Sequence, residues 1–311
     1  MANIVQEPIS CSTAEEFLQA ISPLGPNFKD QATEDGIWLF RGQWADWPLV
    51  PSLFRKDEFS REKLQSLTKL DVNLELHKIE RDILIYFFEM ADKRGLVLPD
   101  DSQELRNYLD EWKNDDVLVG ERARLLQHAR KTFSLRALAQ HYGMPTRLLD
   151  WTRQSYIAAF FAAENRVKVV DESLKEQLVV WAFYYPRLRN KAYAYTSRLD
   201  IPVQLVTAPG ASNINLKAQQ GLFTWYDYNN ETSSYHLTLT ELLQRLAAKK
   251  SQENPLIREF MQQCKFQKFT LPQKDASKLL QRLEKLDITP SSVYPGYHSI
   301  LADLQMQNLP K

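Results

Sequence analysis

Hydrophobic and polar positions along the chain change period from segment to segment, and each change predicts an element. Ser12-Thr13-Ala14-Glu15-Glu16 sets a hydroxyl three residues before a glutamate, a capping box for a short helix through Phe17, Leu18 and Ile21 that stops before Pro23. Gly36 to Gln43 then reads as a buried strand that leaves through Gly42. The stretch from Trp44 to Arg55 is too rich in proline for regular structure. From about Phe59 to Phe133 the period is helical, with Ile79, Ile83, Tyr86, Phe87 and Met90 recurring between Glu80, Arg81, Asp82 and Glu89. Pro99-Asp100-Asp101 separates that helix from one around Leu105, Leu109 and Trp112. Ser134 is expected to cap a further helix through Leu135, Leu138, Ala139 and Tyr142, which Gly143 ends.

Strand signals dominate afterwards: Leu178 to Tyr185, Val203 to Val206 and Gly221 to Tyr226, followed by a polar loop from Asp227 to Ser234. Helices around Leu242 to Ala247 and Leu279 to Leu286 flank a strand at Lys265 to Leu271. Tyr294-Pro295-Gly296-Tyr297 introduces a last amphipathic helix carrying Ile300, Leu301 and Leu304. The pattern predicts an α+β fold: a mixed or antiparallel sheet core with covering helices and a helical insertion at about 59–133. No internal repeat, low-complexity tract or linker divides the chain, so 1–311 is expected to form one domain.

Composition narrows the function without naming it. Lys and Arg number 39, Asp and Glu also 39, so the chain has no global electrostatic footprint for nucleic acid or an anionic membrane and no strong nucleic-acid signal. A local basic cleft stays open as an alternative. Cys11 and Cys264 stand far apart without CxxC spacing, which excludes a zinc ribbon or disulfide framework and suits a reducing compartment. The N-terminus has neither a basic nor an apolar leader segment, and the longest apolar runs fall far short of a membrane helix. A soluble, cytoplasmic protein is the expectation. The five histidines form no HxxxH or HxH pair and no dense acidic cluster accompanies them, so no metal is expected. No P-loop, GxGxxG or GxSxG motif occurs either.

Candidate chemistry sits in two polar islands. In Phe40-Arg41-Gly42-Gln43 an arginine follows apolar strand residues, and its planar fork suits a phosphate or carboxylate; the alternative is an internal ion pair with Asp150. Gly42 allows close approach of a ligand or partner chain, or simply makes a turn. In the stretch from Gly143 to Thr152, Arg147 and Asp150 lie three apart and can pair on one turn. Asp150 otherwise serves as a general base or as acceptor for a ribose hydroxyl. Thr152 is positioned to cap the small-residue helix ending at Ala163, whose N-terminus would favour an anion. Gln219 and Gln220 can orient a sugar hydroxyl or a water, or pair with backbone at a strand edge. His141 beside Tyr142 reads as a helix cap or a proton shuttle. Trp44 and Trp47, near Arg41 and Arg55, read as a stacking surface for a base or as core.

These islands resemble the FRG domain, a family named for its Phe-Arg-Gly motif. The resemblance rests on Phe40-Arg41-Gly42-Gln43, on Trp47 to Arg55, on Gln140 to Thr152 and on Ala158 to Ala163, with a weaker match at Ala218 to Thr224. It runs roughly from Trp38 to Leu304. The order of parts is also similar to that of ADP-ribosyltransferase-like folds: a first strand with Arg41, then Asp150-Trp151-Thr152, then a helix of Ala and Phe. Gln219-Gln220 stands where those folds carry a catalytic glutamate, and this departure puts transfer chemistry in doubt. The resemblance implies a cleft in which Arg41, Asp150 and Gln220 are the catalytic candidates. Gly42, Gln43, Tyr142, Arg147, Thr152 and Gln219 are the ligand-binding ones. The implied ligand is a nucleotide-containing small molecule, NAD among them. The alternative is a sensing or interaction module whose polar network is structural and whose helical region meets a protein partner.

Overall fold

A computed structural model describes residues 4–28, 36–71, 76–113, 122–164, 176–186, 203–208, 213–226, 237–250 and 255–308. The expected polar loop from Asp227 to Ser234 lies outside them. The described residues form one mixed sheet of seven strands in the order β1-β7-β4-β2-β3-β6-β5. The strands are β1 (Ile9–Ser10), β2 (Gly36–Gln43), β3 (Leu148–Thr152), β4 (Gln177–Pro186), β5 (Val203–Val206), β6 (Gly221–Tyr226) and β7 (Lys265–Pro272). β1 runs parallel to β7 and every other pairing is antiparallel. The fold is α+β, as the pattern predicts.

The helices divide between the two faces because strand alternation gives each face its own apolar set. On one face Leu39, Leu149, Trp151, Val179, Phe183 and Leu222 are buried beneath α2 (Glu58–Leu67), α3 (Leu76–Lys93), α8 (Leu239–Lys250) and α9 (Pro255–Gln263). On the other face Phe40, Leu178, Val180, Ala182 and Phe269 meet α1 (Ala14–Ala20), α6 (Ser155–Ala163) and α10 (Ala276–Glu284), with α11 (Pro290–Val293) and α12 (Tyr297–Gln307) behind them. Between β2 and β3 the chain inserts α2, α3, α4 (Gln103–Lys113) and α5 (Arg122–His141). Residues of α5 cover Leu148, Phe223 and Trp225 together with α7 (Ile214–Ala218).

Helix α6 shows how small residues bring two elements close. Ala158, Ala159, Ala162 and Ala163 have no exposed area, and they let the helix backbone lie directly on β2 and β4. Ala159→Leu or Ala162→Leu should overpack this contact and destabilise by roughly 1–3 kcal/mol. Urea denaturation of both variants checks it, and parental midpoints in both would show that the alanine face has room to spare.

Three local expectations are corrected. Ser134 caps nothing: α5 runs unbroken from Arg122 to His141, and the Ser134 hydroxyl instead donates to the Asp100 carboxylate. Thr152 is not the cap of α6, because that position falls to Gln154. Ile300, Leu301 and Leu304 on α12 are exposed rather than seated on the sheet, and the buried residues of that helix are Ser299 and Met306. Trp44 and Trp47 pack edge to face on each other at 4.2 Å; Trp44 lies against the core, the second of the two readings for that ring, while Trp47 stays 40% exposed. Cys11 and Cys264 are buried free thiols, and burial raises both above the ordinary thiol range.

Candidate functional site

The sheet opens between β2 and β3. β2 pairs with β4 along its whole length, but with β3 the register holds only Phe40 opposite Thr152. The strands part beyond that pair, and Arg41 spans the gap. Its Nη1 donates to the Asp150 carbonyl at 2.9 Å and lies 3.4 Å from Asp150 Oδ2, although 109 positions separate the two residues. The pairing expected for Arg41 is therefore present. It does not sit in a closed core: the Asp150 side chain remains 57% exposed.

The pair lines a cleft of about 310 Å³ over β2, β3 and β6. One wall is α6 and the turn after α11, contributing Phe161 and Tyr294; the other is α5 and α7, contributing Gln140, His141 and Leu216. Phe40, Trp151 and Phe223 add apolar floor. The polar end is a relay of hydrogen bonds. Gln140 Nε2 donates to Asp150 Oδ1 at 2.5 Å, the Thr146 hydroxyl donates to Gln140 Oε1, and the Leu148 amide donates to Thr146 Oγ1 at 3.2 Å. Gln140 thus has its amide orientation fixed at both ends, and it holds one carboxylate oxygen while Arg41 holds the other.

Of the other candidates, Thr152 and Gln219 line the cleft but are bonded to each other: Thr152 Oγ1 donates to the Gln219 carbonyl at 2.7 Å and accepts from the Gln154 amide at 3.0 Å. That bond ties the end of β3 to the turn before β6. Gln219 Nε2 reaches the Val293 carbonyl at 3.3 Å. Gln220 sits in the left-handed region at φ 46°, its side-chain oxygen accepting from Gln154 Nε2 at 3.3 Å, outside the cleft lining. Gly42 lines the cleft through its backbone, but its missing side chain faces α6: a Cβ there would lie 1.8 Å from the Ala158 carbonyl oxygen. Its service is packing of strand on helix.

Three further residues lie elsewhere. Gln43 is buried on β2 and is no part of the cleft lining. Tyr142 projects into solvent beyond α5, its ring 6.4 Å from Phe87. Arg147 does not pair with Asp150. It is buried, and its Nε donates to Glu80 Oε2 at 2.5 Å while its backbone amide donates to Glu80 Oε1 at 2.9 Å. Strand alternation separates Arg147 from Asp150, and the long side chain finds α3 instead.

Sequence reasoning assigned no role to Gln140, Phe161 or Tyr294. Gln140 was legible as part of the Gln140-His141-Tyr142-Gly143 run, whereas Phe161 and Tyr294 look like ordinary core aromatics. Burial, together with the Glu164 carboxylate that its hydroxyl meets at 2.7 Å, raises the Tyr294 phenol far above its ordinary range. His141 does reach the cleft, with Nε2 3.2 Å from the Asn215 amide nitrogen.

No described helix is long and apolar enough to cross a membrane. Comparison with curated proteins and with solved structures finds no match to the chain. Residues 36–170 match the family model of the FRG domain, a shorter stretch than the motifs suggest and one that holds Arg41, Gln140, Arg147 and Asp150. The chain carries an FRG domain, built on β2, the inserted helices, β3 and α6.

Proposed function

We propose that the cleft binds a nucleotide-containing small molecule, with NAD the leading member of that class, on an ADP-ribosyltransferase-like scaffold. The observation that carries this reading is the Arg41–Asp150 pair, held in an open cleft rather than a closed core. A volume of about 310 Å³ falls in the range of small-molecule sites, and apolar walls with a few convergent polar groups are their usual makeup. Phe161 and Tyr294, half-buried at the cleft wall, offer surface to a ring system, and the exposed Asp150 carboxylate would accept from ribose hydroxyls. Glutamine at 219 and 220 supplies no carboxylate to stabilise a developing positive charge, which favours binding over transfer; any bond cleavage here would draw on Asp150 as base. The rival reading, a structural polar network, describes Arg147 well and Arg41 poorly.

A ligand that binds the native state raises its melting temperature by mass action. A panel of nucleotides and dinucleotides should therefore shift the parent protein's melt. Arg41→Lys should lose most of that shift while melting normally on its own, because a point charge does not reproduce the guanidinium fork. An Arg41→Ala protein that melts normally and responds to every nucleotide as its parent does would overturn the reading.

A further inference from the structure

Beside the cleft lies a second recess of about 180 Å³, lined by Arg41, Ser52, Arg55, Lys63, Gly143 and Asp150 among others. Arg41, Gln140 and Asp150 line both spaces, so the two adjoin at the polar end of the cleft. We infer that this recess is an anion subsite, in which Arg55 and Lys63, with Arg41 at its edge, take the phosphate groups of a nucleoside diphosphate. The identity of what fills the neighbouring cleft rests on the reading above; the anion rests on the residues of the recess itself.

Charge is the first argument. Arg41, Arg55 and Lys63 face a single lining carboxylate, Asp150, which is already engaged by Arg41 and Gln140. Asp57 is the other acid that acts on Arg55, and its carboxylate is engaged with the Ser60 amide at the start of α2. The second argument is the state of Arg55. Burial lowers its pKa, the nearby charge of Arg41 lowers it further, and Asp150 and Asp57 only partly offset the two. Two guanidiniums held near each other and partly out of water gain most from an anion that bridges them. Arg55 Nε donates to the Val50 carbonyl at 3.3 Å, so the fork is oriented before a ligand arrives. Geometry is the third. Gly143, at φ 84°, leaves open the space above the Lys63 ammonium: a Cβ there would lie 3.6 Å from Nζ. The recess is smaller than sites that enclose a whole drug-sized ligand, which suits a phosphate or diphosphate and leaves base and ribose to the cleft.

The test titrates the full chain with inorganic pyrophosphate, with adenosine and with ADP, reading affinity by calorimetry and stability by thermal melt. ADP should bind more tightly than either fragment. Lys63→Gln and Arg55→Gln should each weaken pyrophosphate and ADP about tenfold, the loss of one charge-assisted contact, and leave adenosine unchanged. Lys63 stands on the surface helix α2, so its variant reports on binding even if Arg55→Gln folds poorly. Pyrophosphate and ADP bound as tightly by Lys63→Gln as by the parent would overturn the subsite. Adenosine binding without a pyrophosphate response would overturn it too, while sparing the cleft. Pyrophosphate bound through Lys63, with no affinity added by the adenosine part of ADP, would uphold the recess and overturn the cleft. Silence toward all three probes would overturn both.

Discussion

Glu80→Ala should lower folding stability by about 3–5 kcal/mol, because it removes the buried carboxylate that two buried guanidiniums share. Glu80 lies on α3 with no exposed area, and its carboxylate takes Arg147 Nε at 2.5 Å and approaches Arg136 Nε at 3.4 Å. Both arginines are almost fully buried. Burial pulls the Arg136 pKa down to about 10, with the Arg147 charge adding to the fall and Glu80 opposing it, so Arg136 is still a cation at neutral pH. The same triad fixes the acid response. Burial by itself raises the Glu80 carboxyl, but the two guanidiniums and the Arg147 amide outweigh it, and the folded pKa ends below the ordinary value. A folded-state pKa below the unfolded one means stability that is present above the unfolded value, about 4.3, and lost as pH falls through the folded value. Glu80→Gln keeps an acceptor but not the charge. It should therefore cost less than alanine and flatten stability against pH in the acid range. Urea midpoints across pH 3 to 7 (roughly, the span of carboxylate titration) measure both effects. An alanine variant within about 1 kcal/mol of its parent would mean that the arginines find other partners.

The triad also marks where the sequence stops being legible. Strands at Val203–Val206 and Gly221–Tyr226 were readable because each is a short apolar run between turn residues. The Arg41–Asp150 contact was readable because a charge amid buried strand residues needs a partner. Glu80 was not, since it stands among Arg81, Asp82 and Glu89 and looks like part of a solvated face. The reason lies in α3, which buries two faces rather than one: Leu76, Ile79 and Ile83 meet the sheet, while Leu84, Ile85, Phe88 and Ala91 meet α4 and α5. A single stripe of Ile79, Ile83, Tyr86, Phe87 and Met90 touches the second face only through Phe87, leaving out Leu84, Ile85, Phe88 and Ala91, and it includes Tyr86, which is exposed. Helix α12 fails in the opposite sense. Its Ile300, Leu301 and Leu304 form an apolar stripe that stays exposed among the described residues, and no pattern within a helix says whether another element will cover it. The cleft has the same origin: its floor and walls come from segments spread between Phe40 and Tyr294, and only their meeting turns Phe161 and Tyr294 from core residues into lining.

Gly42→Ala should cost about 3 kcal/mol or more, the upper end for adding one carbon to a packed interior, and Gly42→Val should prevent folding. A Cβ at this position would lie 1.8 Å from the Ala158 carbonyl oxygen and 2.8 Å from the Ala162 amide nitrogen. Those are helix backbone atoms, so no side-chain rotation relieves the contact. Helix α6 must move as a body, yet its alanine face is what fits it to β2 and β4. Moving α6 also shifts Phe161, one wall of the cleft. The phenotype should thus be the reverse of that expected for Arg41→Lys: a lowered urea midpoint for glycine, a normal midpoint with lost nucleotide response for arginine. Adjacent residues of one Phe-Arg-Gly motif then separate by role, the glycine closing strand onto helix and the arginine facing the cleft. A Gly42→Ala protein that unfolds at the parental urea concentration and has lost its nucleotide response would reverse that division, placing the glycine against ligand and not against α6.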